Sequence, residues 1–243
     1  QFTAFNLMLH HDLKDIQKQI DAVVNQQNNS PRSDFGGYSP FEMHRILHFA
    51  FEPGSPLLLQ KLSESDYLKI PMLNQVKFLA NLIDKHGEIK LTDKGFLPVK
   101  IVTELYGQGF LKDEFIEEGI SKLFKETDSM TVSLTRILTE LASIVKKRNG
   151  KLSLTKSSLK ILGNNEELLR LIFLTFARKF SWAYFDGYED DRIGQLGYGF
   201  SLILLSKFGQ EKQLDTFYAQ KYFNAFPLLL DAGAPDYTTP EDY

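Results

Sequence analysis

Residues 79–92 read LANLIDKHGEIKLT and residues 141–155 read LASIVKKRNGKLSLT, and the similarity of these two stretches decides how the chain is interpreted. The second stretch matches the first once a single residue near Asn149 is treated as an insertion. Each stretch predicts the end of a helix, a glycine that stops it, a four-residue strand and a threonine that can cap the next element. The chain therefore carries an internal repeat of a helix followed by a short strand.

The two short strands of this repeat need partners, because a strand that stands alone leaves its backbone groups unpaired. The simplest arrangement pairs the two strands with each other, or with an extended segment such as residues 56–59, and packs helices around them. This pattern resembles the helix-plus-wing organisation of winged-helix domains. Two helical hairpins with unrelated loops are the alternative that the sequence leaves open.

Helical periodicity continues on both sides of the repeat. The expected helices span residues 5–24, 40–51, 71–86, 99–106, 112–126, 131–148, 165–179, 197–208 and 214–226. The helix that follows Ser39 has a sharp start, because Ser39 and Glu42 form a capping box around Pro40. We therefore expect a mainly α fold with duplicated helix–short strand, winged-helix-like units and a small amount of β structure.

The 243 residues suffice for one large domain or two small ones. We expect one compact unit that divides near residue 128. Residues 1–128 would form an N-terminal helical part with the first repeat, and residues 129–243 a C-terminal helical part with the second. The acidic tail after Asp231 is expected to be frayed.

The composition excludes several classes of site and partner. The chain has no cysteine, so a disulfide framework, a thiolate zinc site, an iron–sulfur cluster and a cysteine nucleophile are excluded. A net charge of -3 gives no general attraction to nucleic acid or to an anionic membrane. No apolar run is long enough to span a bilayer and no signal peptide is visible, so we expect a cytoplasmic protein without a membrane partner.

A local basic cluster contrasts with this acidic balance, since residues 146–160 contain no acid. The cations expected to contact nucleic acid are Lys146, Lys147, Arg148 and Lys151. They fall at a predicted helix end and its wing, where a winged-helix protein contacts phosphates. The alternative is a solvated helix end whose cations complement the helix dipole. The first repeat lacks the cluster, because Asp84 and Glu88 dilute Lys85 and Lys90.

An aromatic and acidic stretch, residues 180–191, is the candidate ligand pocket. Its proposed pocket residues are Trp182, Tyr184 and Asp186. Aromatic rings beside carboxylates suit a cationic or planar ligand, and a pair of carboxylates can serve as acid and base. The alternative is that the aromatic side chains are core anchors and the acids form a solvated loop. No catalytic residue, cofactor or metal is predicted.

His44 and His48 are the only histidines with helical metal-ligand spacing, at i and i+4 on one helix. A zinc-protease motif is absent, because Arg45 stands where that motif requires glutamate. The sequence fixes no third ligand, so these two side chains remain weak candidates. The alternative is that one histidine packs against the helix and the other faces solvent.

Three segments resemble a group of uncharacterised bacterial proteins. They are residues 39–44 (SPFEMH), residues 89–98 and residues 180–188 (FSWAYFDGY). Some of these proteins carry SEC-C metal-binding tails or a plasmid open-reading-frame-like domain. The resemblance implies no activity, and the SEC-C zinc site requires cysteines that this chain lacks.

The sequence thus leads to three hypotheses about function. The first is a non-enzymatic protein-interaction or binding module whose partner is another protein, because no catalytic constellation is present. The second is a winged-helix-like regulator that binds nucleic acid. The third is an enzyme with a site near residues 180–191.

Overall fold

A computed structural model of the chain describes residues 2–183 and 193–232, with side chains described for residues 13–183 and 193–230. Helices dominate this part of the chain and one small antiparallel sheet accompanies them, which confirms the mainly α prediction. The helices are α1 (Phe2–Asn29), α2 (Pro40–His48), α3 (Glu64–Tyr67), α4 (Pro71–His86), α5 (Val99–Tyr106), α6 (Glu114–Glu117), α7 (Met130–Leu141), α8 (Ser158–Leu162), α9 (Asn165–Arg178), α10 (Tyr198–Phe208) and α11 (Asp215–Ala225). The strands are β1 (Ile89–Lys90), β2 (Val145–Arg148) and β3 (Lys151–Leu154), and short 3-10 helices span Glu126–Asp128 and Pro227–Ala232.

The chain forms two compact units. One unit combines Gln1–Leu59 with Trp182–Tyr243, and the other is the continuous segment Gln60–Ser181. Residue 128, where the sequence suggests a division, lies within the second unit. The division of the chain into residues 1–128 and 129–243 stays a prediction.

The second unit contains the whole sheet. Between α3 and the pair α8 and α9, its elements follow the order α4, β1, α5, α7, β2, β3, with the one-turn helix α6 in the connection between α5 and α7. The strand order across the sheet is β1-β3-β2, and both pairings are antiparallel. Ile89 lies opposite Leu152, so the two predicted strands pair with each other, which is one of the two pairings that the sequence left open.

One face of this sheet is buried against helices. Ile89, Val145 and Leu152 are all nearly inaccessible to solvent, and α4 packs against both β3 and α7. Leu79 and Ile83 of α4 are fully buried on the side of that helix that closes the core. One face of the sheet thus packs on the helical core, and the other face is exposed to solvent.

The first unit is built around α2, α10 and α11. The capping box that the sequence predicts for α2 is confirmed: the Glu42 N–H donates to Ser39 Oγ, and the Ser39 N–H donates to Glu42 Oε2 at 2.8 Å. Ile46 of α2 packs against Phe200 of α10 in the core of this unit. Gly199 permits this close packing, since a Cβ there would lie 2.9 Å from the Ile46 carbonyl oxygen.

Two predicted helices are wrong. The helix expected over residues 131–148 ends at Leu141, and Ser143 takes a left-handed conformation with φ 57° before residues 145–148 join the sheet. The helix expected over residues 112–126 is interrupted at Gly119, where φ is 74°, and only α6 and a 3-10 turn form. In both places a positive φ ends the helix, because a right-handed helix cannot continue through a left-handed residue.

The remaining helices lie close to their predicted positions, although α1 extends beyond residues 5–24 and α2 stops short of residue 51. Within residues 2–183 and 193–232, no helix combines the length and the apolar character that a membrane crossing requires.

Candidate nucleic-acid interface

The predicted basic cluster lies on a tight β-hairpin. Asn149 and Gly150 connect β2 to β3 with φ angles of 51° and 69°. Two successive residues with positive φ form the two-residue turn that matches the twist of a hairpin, and Asn-Gly is the sequence this turn favours. The hairpin therefore fixes where the four cations point, because side chains alternate between the faces of each strand.

The exposed face of the sheet carries a row of three cations, one from each strand. Lys90 of β1 lies opposite Lys151 of β3, and Lys151 lies opposite Arg148 of β2. Residues directly opposite one another in an antiparallel sheet share a face, with Cα atoms about 4.5–5.5 Å apart. Lys146 lies on the same face two residues before Arg148, opposite Ser153. We call Lys90, Lys146, Arg148 and Lys151 the basic face; all four are exposed.

Lys147 does not belong to the basic face. Its partner across the hairpin is the buried Leu152, so Lys147 points to the helix-covered side and lies exposed at its rim. There Lys147 Nζ approaches Gly95, where an added Cβ would lie only 2.7 Å away. Of the four cations predicted to contact nucleic acid, the structure therefore groups Lys146, Arg148 and Lys151, and separates Lys147.

A single acid neutralises part of the basic face. Lys151 forms an ion pair with Glu88, and both side chains are about half exposed. No ion pair among the described residues involves Lys90, Lys146 or Arg148. Like charges placed directly opposite each other destabilise a sheet. Repulsion within the row of Lys90, Lys151 and Arg148 thus lowers the stability of the fold. A bound polyanion would offset this repulsion.

The helix before the hairpin, α7, contributes no free cation. Its one basic residue, Arg136, donates to the buried Glu126 at 2.6 Å and also pairs with Glu140. Burial by itself lowers the pKa of Arg136, but the hydrogen bonds to these two carboxylates raise it above its ordinary value. Glu126 also accepts from the Leu97 N–H at 2.6 Å, so this carboxylate joins α7 to the turn before α5. The charges of α7 therefore hold the unit together.

An apolar cleft of about 330 Å³ opens between α4, α7 and α9 of the second unit. Its walls are formed by apolar side chains, among them Met72, Leu111, Leu134, Leu138, Ile172 and Phe176. Such a cleft suits an apolar group. It offers no acid, base or nucleophile, so it gives no support to an enzymatic reaction at this place.

The proposed ligand pocket of the aromatic stretch falls mostly outside the described residues, which do not include Tyr184 and Asp186. Trp182 is half-buried, and its backbone N–H donates to Gln195 Oε1 at 3.3 Å. The Trp182 ring lies against Gly194, whose added Cβ would be 3.3 Å from it. Phe180 is buried in the second unit and stacks on Phe176 at 5.6 Å between ring centroids. The described aromatic side chains thus serve packing.

His44 and His48 are neighbours on the surface of α2. Their ring centroids are 4.6 Å apart, and both side chains are exposed. Among the residues whose side chains are described, no third histidine or acid joins them to form a group that could hold a metal ion.

Sequence reasoning missed Lys90 as a member of the basic face. In the sequence, acidic residues near Lys90 balance its positive charge. In the structure, Lys90 lies beside the basic hairpin. The predicted pairing of the two repeat strands was the signal that could have found it, because a pairing register assigns every residue to a face.

One family model matches part of the chain. Residues 69–167 are similar to the family model described as the Y4jL N-terminal domain, an uncharacterised family. The matched segment lies within the second unit and contains α4, the whole sheet and the basic face. No curated protein and no solved structure matches the chain.

Proposed function

We propose that residues 60–181 form a winged-helix binding module that contacts the phosphate backbone of nucleic acid through the basic face of its sheet. The observation that carries the proposal is the cross-strand row of Lys90, Lys151 and Arg148. Lysine and arginine side chains on one rigid surface suit successive phosphates, and neutralising phosphates releases counterions from the nucleic acid.

The topology supports the winged-helix interpretation. The order helix, strand, helix, helix and hairpin, with β3 in the middle of the sheet, is typical of winged-helix domains. In that comparison α5 and α7 correspond to the helix-turn-helix pair, and the β2–β3 hairpin corresponds to the wing. The connection between α5 and α7 is longer than a simple turn, because it contains α6 and the Glu126–Asp128 turn.

The mode of contact differs from recognition by a helix in the major groove. Val132, Thr135, Leu138 and Thr139 of α7 are buried, and its arginine is already paired within the unit. A helix held in this way offers few side chains to base edges, which are the groups that carry sequence information. We therefore propose contact with the backbone by the sheet, with low sequence selectivity and a strong dependence on salt.

The test measures fluorescence anisotropy with labelled duplex DNA, single-stranded DNA and RNA over a salt series. Four phosphate contacts give a salt slope of about -3.6, so raising salt from about 50 to about 200 mM weakens duplex binding roughly 150-fold. The double variant Lys146→Gln/Arg148→Gln should reduce that slope by about 2.

The matched control is Lys147→Gln/Lys122→Gln, which removes the same charge from exposed positions of the same unit that do not belong to the basic face. The control should bind like the wild-type protein. Equal losses in both double variants would attribute binding to net charge alone. No binding of the wild-type protein to any probe at low salt would reject the proposal.

A second candidate function, interaction with protein, is favoured by a different feature. In the first unit, α1 exposes a stripe of apolar side chains, each about half accessible to solvent.

A further inference from the structure

The described apolar side chains of α1 remain exposed, although α1 contacts α2 within the first unit. Every residue from 13 to 30 is exposed. This includes the apolar residues Leu13, Ile16, Ile20 and Val23, whose exposed fractions are 58%, 52%, 50% and 52%. A helix gains most of its stability by packing an apolar face against another element. Apolar side chains along a helix without such packing indicate a surface for binding.

The spacing of these four residues suits another helix as the binding partner. They lie three, four and three residues apart, which fits the a and d positions of two coiled-coil heptads. Leu13 and Ile20 occupy the a positions of two successive heptads, and Ile16 and Val23 occupy the d positions. We call these four residues the α1 seam.

The charges of α1 are consistent with a seam that meets a copy of itself. After the charged Asp12, which flanks Leu13, the positions that flank the seam hold Gln17, Gln19, Val24 and Gln26, none of which is charged. The ionisable residues of this stretch, Lys14, Asp15, Lys18 and Asp21, all occupy outer positions of the heptad. Two identical seams can therefore approach without bringing like charges together, whereas a partner chosen by charge would require charged flanks.

We propose that copies of this chain associate through the α1 seam as a helical coiled coil. The inference rests on the protein-interaction function and is independent of the nucleic-acid proposal. The β-branched residues at both d positions, Ile16 and Val23, favour three or four helices over a parallel pair. A membrane surface fits less well, because the polar side carries two lysines and two aspartates and so does not attract anionic lipid.

The experiment measures the mass of the full chain by size-exclusion chromatography with light scattering over a wide range of loading concentration. The expected mass is that of two or more chains, each of 27.9 kDa. The variant Ile16→Glu/Ile20→Glu places charge in the seam and should elute as a monomer. The variant Ala22→Glu/Asn25→Glu adds the same charge on the outer side of the helix and should keep the wild-type mass.

Wild-type protein that remains monomeric at every concentration would overturn the proposal, whatever the variants do. Wild-type monomers that sediment with vesicles of anionic lipid would replace it with membrane binding. Loss of association in both variants would contradict the seam. The Ile16→Glu/Ile20→Glu monomer keeps the basic face, so its nucleic-acid binding shows separately whether that proposal holds.

Discussion

Lys90 and Lys151 lie directly opposite each other on neighbouring antiparallel strands, and Arg148 continues the row on the third strand. The two lysines come from the two similar stretches, residues 79–92 and 141–155, so their proximity is a product of the fold. Since Glu88 pairs with Lys151 alone, the row keeps a net positive charge. A positive charge at position 90 therefore favours nucleic-acid binding but lowers the stability of the fold.

We expect Lys90→Glu to stabilise the protein and to weaken nucleic-acid binding. The substitution replaces a repulsive cross-strand pair with an attractive one, which is worth about 0.2–1 kcal/mol. The midpoint of urea denaturation, followed by circular dichroism at low salt, should rise. Lys122→Glu makes the same charge change on an exposed residue outside the sheet and should leave both properties near their wild-type values. A lower midpoint for Lys90→Glu would contradict a repulsive row.

We expect Gly150→Val to destabilise the second unit and to weaken nucleic-acid binding. A β-branched residue at φ 69° costs about 1–2 kcal/mol, because its Cβ meets the backbone in the left-handed region. Asn149→Gly is the control, since the same turn accepts glycine at either position. Urea denaturation should separate the two variants. Equal stability of Gly150→Val and the wild-type protein would show that the hairpin turn tolerates another conformation.

The sequence predicted the elements whose ends are marked locally. Ser39 and Glu42 fix the start of α2, and Gly87, with φ 72°, fixes the end of α4. The hairpin escaped prediction because residues 141–148 place apolar side chains at helical spacing, which favours a helix. In the structure those residues divide between the end of α7, a turn and β2.

The basic face could be predicted only in part, because pairing between distant residues decides which cations share it. Its position on the chain is set by composition, but the side of the sheet on which each cation lies depends on the register. Lys147 and Arg148 are adjacent in sequence and point to opposite faces. The hairpin signal was present at Asn149 and Gly150, where residues 141–155 carry one residue more than the similar residues 79–92.

We expect Glu126→Gln to lower the stability of the second unit by about 2–4 kcal/mol. Glu126 is fully buried, and its carboxylate accepts from both the Leu97 N–H and Arg136 Nε. An amide loses the charge that compensates the guanidinium of Arg136. Glu118→Gln is the control, because Glu118 is exposed, and it should change stability by less than about 0.5 kcal/mol. Equal denaturation midpoints for the two variants would show that the Glu126 network does not stabilise the unit.

We expect the same substitution, glycine to alanine, to have opposite effects at two positions. At Gly199 the new Cβ would lie 2.9 Å from the Ile46 carbonyl oxygen, so α2 and α10 must separate at a cost of about 1–2 kcal/mol. At Gly163 the nearest atom is 3.6 Å from the new Cβ and φ is -80°, so alanine should stabilise by up to about 1 kcal/mol. Trp182, the single tryptophan, belongs to the same unit as Gly199, and its fluorescence reports the unfolding of that unit. The unfolding of the Gly163→Ala variant is followed by circular dichroism. A stabilised Gly199→Ala protein would show that α2 and α10 do not pack as closely as the structure has them.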